Sequence, residues 1–562
     1  MGLEPTLAAN RDKIVRLIQE AAATDARLVI FPEGALASPP GTPLTEYRLA
    51  VEAVGKAARE SGIYVVAPSR FVPQGRSKHH NQLYVFSPQG ETLLVYDKVW
   101  HAREYDAPKM VSVDGVLCSF MICADRWSRP VADLPPVMGA QILIECSGNY
   151  DTEWLPSLEW YWYVPRAIHN TAYVILSNRA RENHLPGGNR GHGHSVVVAP
   201  DGSILAAAGE QRDKMLTVEL DLTKATREMA IRRSLHPLFK AWWDMGQAIR
   251  NGRDFPMVSV PWLSSSNNSV QCGFALMPCG SSIEKNVKTI RNHIRQAAAD
   301  RMDLVVFPEL AVTGSREEDI QEADPKALAA ALDSIRQTTR EHKVTVVVGS
   351  PSFINGQRRN SAYAIGPDGS ILTRYDQIAV SRPGLFEGGM STKAMWFQVN
   401  GIWSVLTIGA DALWTEMAEL AALRGARLHC HLRHDLSMSP AEALLHDQIV
   451  ANLASYRTLT VVANPLYPDL VTHSDARFSV GSGVWDDLAA GDWCAVKVQT
   501  GRPWEGVFSA SRVVPGPTNP LRERGYWRTT TPRYQPWMMA GVVAMDAEIP
   551  TGGLKQKKAG RS

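Results

Sequence analysis

The sequence predicts an α/β protein in which one fold is written twice in tandem. The first observation is a repeat. Residues 10–33 read NRDKIVRLIQEAAATDARLVIFPE and residues 286–309 read NVKTIRNHIRQAAADRMDLVVFPE, the same pattern 276 residues later. The second is that the register continues: Tyr96-Asp97 matches Tyr375-Asp376, and ICAD at 122–125 matches IGAD at 408–411. The third is alternation. In each copy a stretch with helical apolar spacing gives way to short apolar runs closed by turn signals such as PQG at 88–90 and PDG at 367–369.

Taken in order, the first copy opens with a helix whose apolar residues Ile14, Leu17, Ile18 and Ala21 share one face. An apolar strand at 28–31 follows and ends in Pro32-Glu33. A third segment, 93–96, ends in Asp97-Lys98. The run at 116–122 reads as a buried strand and stops abruptly at Cys123-Ala124-Asp125-Arg126. The second copy repeats the opening helix with Ile283, Val287, Ile290 and Ile294, and Ser281 with Glu284 suggests its capping box. Periodicity breaks at 256–268, rich in Ser, Asn and Pro. The expected division is therefore 1–258, a linker at 259–268, a second domain at 269–549 and a basic disordered tail at 550–562. The second copy begins with an apolar stretch at 270–277 that has no counterpart in the first, so the first copy is expected to lack a strand.

Three strand ends of the first copy thus offer a carboxylate, an amine and a thiol: Glu33, Lys98 and Cys123. The set has a chemical logic. A thiolate is a nucleophile, and a nearby ammonium favours it. A carboxylate can take the thiol proton and later activate water. In the second copy Glu309 persists, but Gln377 stands in place of Lys98 and Gly409 in place of Cys123. That copy has no nucleophile, and no catalysis is expected of it.

Composition narrows the alternatives. The 562 residues exceed what one core supports, and 45% of them are hydrophobic. Fifty-nine basic against 57 acidic side chains leave no field that points to nucleic acid or a membrane surface as partner. The seven cysteines (118, 123, 146, 272, 279, 430 and 494) form no CxxC pair, which argues against zinc and redox motifs and for a reducing compartment. With no signal pattern and no long apolar run, a cytoplasmic protein is expected.

On these residues the chain resembles the nitrilase superfamily of carbon–nitrogen hydrolases. FPE at 31–33, YDK at 96–98, ICAD at 122–125, RAIHN at 166–170 and GHSVVVAPDGSIL at 193–205 carry the resemblance. It implies a four-layer αββα sandwich for each copy, packed as an intramolecular pseudo-dimer in which the second copy shields the first copy's pocket, with further homo-oligomers open. It implies a Glu33–Lys98–Cys123 triad, an oxyanion held by Lys98 and the backbone N–H of Ala124, and Glu104 as the second glutamate that orients the site. No cofactor and no metal are implied.

True nitrilases usually follow the cysteine with Trp-Glu, whereas here Ala124-Asp125 follows, which favours amides over nitriles. The run from Cys123 to Trp127 looks most like the carbamoylase branch, and by that resemblance Arg126 would bind a substrate carboxylate. The expected substrate is a small amide or ureido compound. The rival readings are a non-catalytic scaffold, given the missing strand, and acyl transfer with the same residues. Trp154, Trp160, Tyr161, Trp162 and Tyr163 form an aromatic cluster expected to pack a helix rather than line a pocket. His192 and His194 fall in a turn before a strand and lack a third ligand for a metal.

Overall fold

A computed structural model describes residues 1–72, 80–99, 107, 109–148, 163–180, 192–210, 213–257, 263–434, 458–465, 483–485, 494–497, 506–513 and 532–545. They fall into two compact units. The first takes Met1–Val258 and the described part of Leu521–Ala540, and the second takes the other described residues from Ser259 onward. No helix among the described residues is long and apolar enough to cross a membrane.

Each unit is a mixed α/β sandwich. In the first, β1 (Leu28–Ile30), β2 (Leu36–Ala37), β3 (Tyr64–Phe71), β4 (His80–Phe86) and β5 (Thr92–Asp97) make one sheet in the order β1-β3-β4-β5, with β2 also on β3. β6 (Val111–Val113), β7 (Val116–Ile122), β8 (Ile142–Ser147), β9 (Tyr173–Asn178), β10 (Val196–Val198) and β11 (Ile204–Ala207) make the other, ordered β11-β10-β9-β8-β7-β6. Helices α1 (Leu7–Ala22) and α2 (Leu44–Ser61) pack against the first sheet, and α3 (Tyr163–Asn170) lies on β9 of the second. Ile14, Leu17, Ile18 and Ala21 all join the core beneath α1, as their spacing predicts.

The second unit repeats this plan. β12 (Ser269–Leu276), β13 (Leu304–Val306), β14 (Thr345–Ile354), β15 (Gln357–Ile365), β16 (Ile371–Asp376) and β23 (Gly506–Val513) run β16-β15-β14-β13-β12-β23. β17 (Trp396–Val399), β18 (Ile402–Ile408), β19 (Leu428–Leu432), β20 (Leu459–Ala463), β21 (Gly483–Trp485) and β22 (Cys494–Lys497) run in sequence order. Its opening helix, Ile283–Ala299, is capped by Ser282, whose side chain accepts from the Lys285 N–H. The expected cap, Ser281, instead accepts from Arg316 at 2.6 Å.

The two first sheets differ by β12. In the second unit it lies parallel to β13 and antiparallel to β23. In the first unit β1 pairs only with β3 among the described residues. The stretch at 214–220, which follows β11 as β23 follows β22, carries no sheet pairing, although Met215 packs against the core of that layer. The start of the chain lines up accordingly. Asn10 holds both backbone groups of Glu4 as Asn286 holds both of Gly280. Met1 thereby occupies the place of Met277, the residue just after β12.

Candidate active site

The site lies where the ends of β5 and β7 meet the turn after β1. Lys98 follows β5, Cys123 follows β7, and Glu33 lies three residues past β1. Lys98 Nζ donates to Glu33 Oε1 at 2.7 Å, and Asn81 Nδ2 donates to the same oxygen at 2.6 Å. The Gly148 N–H donates to Glu33 Oε2 at 3.0 Å. Glu33 is 1% exposed and Lys98 9%, so both charges are held out of water.

Cys123 opens a short 3₁₀ turn, Cys123–Trp127, with φ +48, a left-handed value that non-glycine residues rarely adopt. Asp125 fixes this turn. Its carboxylate accepts from the Ile122 N–H at 3.2 Å and from the buried Tyr96 hydroxyl. Ala124 is the second residue of the turn, where an N–H has no partner within the helix.

The charges set one another. Burial would raise the Glu33 carboxyl, but the charge and hydrogen bond of Lys98, then Asn81 and Arg179, hold it below its ordinary value. Burial would lower the Lys98 ammonium, but Glu33, Cys123 and Asp125 hold it above its own. For Cys123 burial wins, with Glu33 adding to it, and the thiol lies above its free value against the pull of Arg126, Lys98 and Ser147. Glu33, Lys98 and Cys123 are thus brought into one electrostatic unit.

Arg126 is also here. Its Nε donates to the Cys123 carbonyl at 3.0 Å, and its Nη2 reaches Ser147 Oγ at 3.2 Å, Cys123 Sγ at 3.8 Å and Glu145 Oε1 at 2.8 Å. Sequence reasoning missed Glu145 on β8, although an acid inside the apolar run ILIECS was a signal in plain view. It missed Asn81, which lies between Glu33 and Lys98 in the chain and reaches Glu33 only through the register of β4 with its neighbours. Glu104 lies outside the described residues, as do Trp154, Trp160, Tyr161 and Trp162. Tyr163 is buried, with its hydroxyl donating to Glu145 at 3.1 Å. The ring of His194 bonds the His192 carbonyl at 2.6 Å, and His192 meets Asn178 at 3.3 Å, so both close the turn before β10.

The second unit has the same frame with different contents. Asn360 donates to Glu309 at 2.6 Å and Tyr375 to Asp411 at 2.7 Å, reproducing Asn81–Glu33 and Tyr96–Asp125. Gln377 donates to the Ile408 carbonyl at 3.0 Å. A Cβ on Gly409 would lie 2.6 Å from Glu309 Oε2, so the carboxylate fills the space where a thiol would begin.

The sequence model of the carbon–nitrogen hydrolase family matches residues 2–228 and 269–454. The chain belongs to the carbon–nitrogen hydrolase family. Among curated relatives, an omega-amidase from Xenopus laevis is 28% identical over 261 residues, which cover 41% of this chain and 91% of that protein. The 2-oxoglutaramate amidase of Bacillus subtilis is 28% identical over 201 residues, 33% of this chain and 70% of the relative. Among solved structures, an amidase from Nesterenkonia sp. is similar at 17% identity with a TM-score of 0.38, covering 47% of this chain and 96% of the other.

Proposed function

We propose that the first copy hydrolyses a carbon–nitrogen bond other than a peptide bond, in a small amide or N-carbamoyl substrate, through a thioester on Cys123. The amidase names of the relatives favour the amide. The observation that carries the reading is the buried Glu33–Lys98 pair at 2.7 Å, whose charges act on the Cys123 thiol, set against a second copy that keeps the glutamate and lacks both partners.

The Cys123 thiol gives its proton to Glu33, and the sulfur attacks the carbonyl carbon. The oxyanion that forms is held by Lys98 and the Ala124 N–H. The C–N bond breaks, the nitrogen takes the proton from Glu33 and leaves as ammonia or an amine, and the acyl group stays on sulfur. Water then gives a proton to Glu33 and attacks the thioester; the C–S bond breaks, the acid departs, and the sulfur regains its proton. Glu104 orients substrate or Lys98 in this scheme. Lys98 is held as an ammonium by Glu33, so its share is electrostatic.

The test is intact-mass analysis of the full chain mixed with a panel of simple amides, with and without hydroxylamine. A single acyl adduct on Cys123, released by hydroxylamine, is expected. Cys123→Ala should abolish adduct and turnover, and Lys98→Met should slow acylation by about 10²–10³. A binding scaffold would give no adduct with any amide while Cys123 still reacts with iodoacetamide, and that outcome would defeat the proposal.

A further inference from the structure

We infer that Arg126, clamped by Glu145, is a second cation held against the Cys123 sulfur, there to favour its thiolate rather than to read a substrate carboxylate. The inference rests on the thioester reading and deepens it: Arg126 stabilises the nucleophile and Glu145 is a positioning residue.

Geometry comes first. Arg126 Nη2 lies 3.8 Å from Sγ and 2.8 Å from Glu145 Oε1, while Nε is tied to the Cys123 carbonyl at 3.0 Å. The guanidinium lies 5.5 Å from the centre of the Tyr163 ring, and Arg166 donates to the Arg126 carbonyl at 2.9 Å. Glu145 is 1% exposed, and a second cation, Arg166, stands 3.6 Å from its other oxygen. A guanidinium fixed from several sides keeps its aim at the sulfur without an entropy cost at each turnover. An incoming carboxylate would have to compete with a buried one already 2.8 Å away.

The second copy supplies an independent control. Strand register pairs Ile122 with Cys146 and Ile408 with Leu432, so Glu145 corresponds to His431. Counting from Cys123 and Gly409, Arg126 corresponds to Ala412. The frame residues Glu309, Asn360, Tyr375 and Asp411 are all kept, with their bonds. Thiol, ammonium, guanidinium and its acid are all replaced together. A pair required by the fold would have stayed with the frame; this pair went with the sulfur.

Among the described residues, the charged and titratable groups around Cys123 are Glu33, Lys98, Arg126, Glu145, Tyr163 and Arg166, with Asp125 on its own turn and Arg179 beside Glu33. Glu33 works against the thiolate, so two cations oppose one adjacent anion. Removing one of them should leave the thiol harder to ionise.

The experiment is the pH–rate profile for alkylation of Cys123 by neutral iodoacetamide, followed by peptide mass in the full chain. Arg126→Ala with Glu145→Gln removes both charges and leaves no orphaned carboxylate. Its alkylation midpoint should rise by about one pH unit, with a roughly tenfold slower rate at neutral pH. Arg126→Lys should recover most of this, a rescue that a packing role would not give. If the first double variant does not fold, Arg126→Gln with Glu145→Gln replaces it. Coincident midpoints would overturn the inference, as would a loss of turnover confined to carboxylate-bearing amides. The expected shift between variant and wild type, with a wild-type Cys123 that is alkylated but never acylated, would defeat the hydrolase reading alone.

Discussion

Gly409 stands where the first copy has Cys123, and the frame around it is kept. Its φ of +43 matches the +48 of Cys123, so the turn is the same in both copies and only the residue that bears the strain has changed. Glycine tolerates that backbone freely, and its missing side chain lets Glu309 move in to 2.6 Å of the Cβ position. Adding a side chain at 409 should therefore be costly, because the space of its Cβ is taken by Glu309. Gly409→Ala is expected to destabilise the second unit by about 1–3 kcal/mol, from positive φ and the buried contact with Glu309. Gly409→Cys with Gln377→Lys should still give no acyl adduct at 409. Urea denaturation and intact-mass acylation read the two outcomes. An acylated second site would mean that Glu309 withdraws easily and that the copy is dormant rather than closed.

At the level of elements, the strand ends were legible because they depend on local pattern. The apolar run at 116–122 stops where the structure ends β7, and the match of Tyr96 to Tyr375 and Asp125 to Asp411 held the key to the hydroxyl–carboxylate bond that fixes each turn. Where partners chosen by sheet register would meet was not legible: Asn81 on β4, Ser147 at the end of β8 and even Glu145, conspicuous as an acid in an apolar run, converge on the site only once the strands align. Among the described residues β1 has one sheet neighbour where β13 has two. Because Met1 occupies the place of Met277, fusing the sequence 269–276 directly ahead of Met1 would deliver a strand into register beside β1. Such a fusion is expected to bury Val270-, Cys272- and Phe274-type side chains and to raise Tm of the first unit by about 5 °C or more. Hydrogen exchange at 28–30 should slow in parallel. Unchanged Tm and unprotected amides there would mean that the space beside β1 is already filled.

Across the whole molecule, chain order and packing do not coincide, and the last described helix shows it. Trp537, near the far end of the chain, belongs with the first unit and is fully buried there. It stacks on Trp242 with ring centres 4.7 Å apart, and the two indoles exchange bonds with each other's carbonyls: Trp242 Nε1 donates to the Trp537 carbonyl at 2.8 Å, and Trp537 Nε1 to the Trp242 carbonyl at 2.7 Å. The helix Lys240–Arg250 carries glycine at 246 because a Cβ there would come within 2.6 Å of the Trp537 ring. A core side chain of this size, with its indole N–H satisfied, is worth about 3–5 kcal/mol against truncation to alanine. Trp537→Ala in the full chain is therefore expected to speed hydrogen exchange throughout 240–250 and to leave the helix Ile283–Ala299 of the second unit unchanged. Equal effects on both helices would mean that the two units unfold as one cooperative body. No effect on 240–250 would mean that this helix keeps its stability without the tryptophan stack.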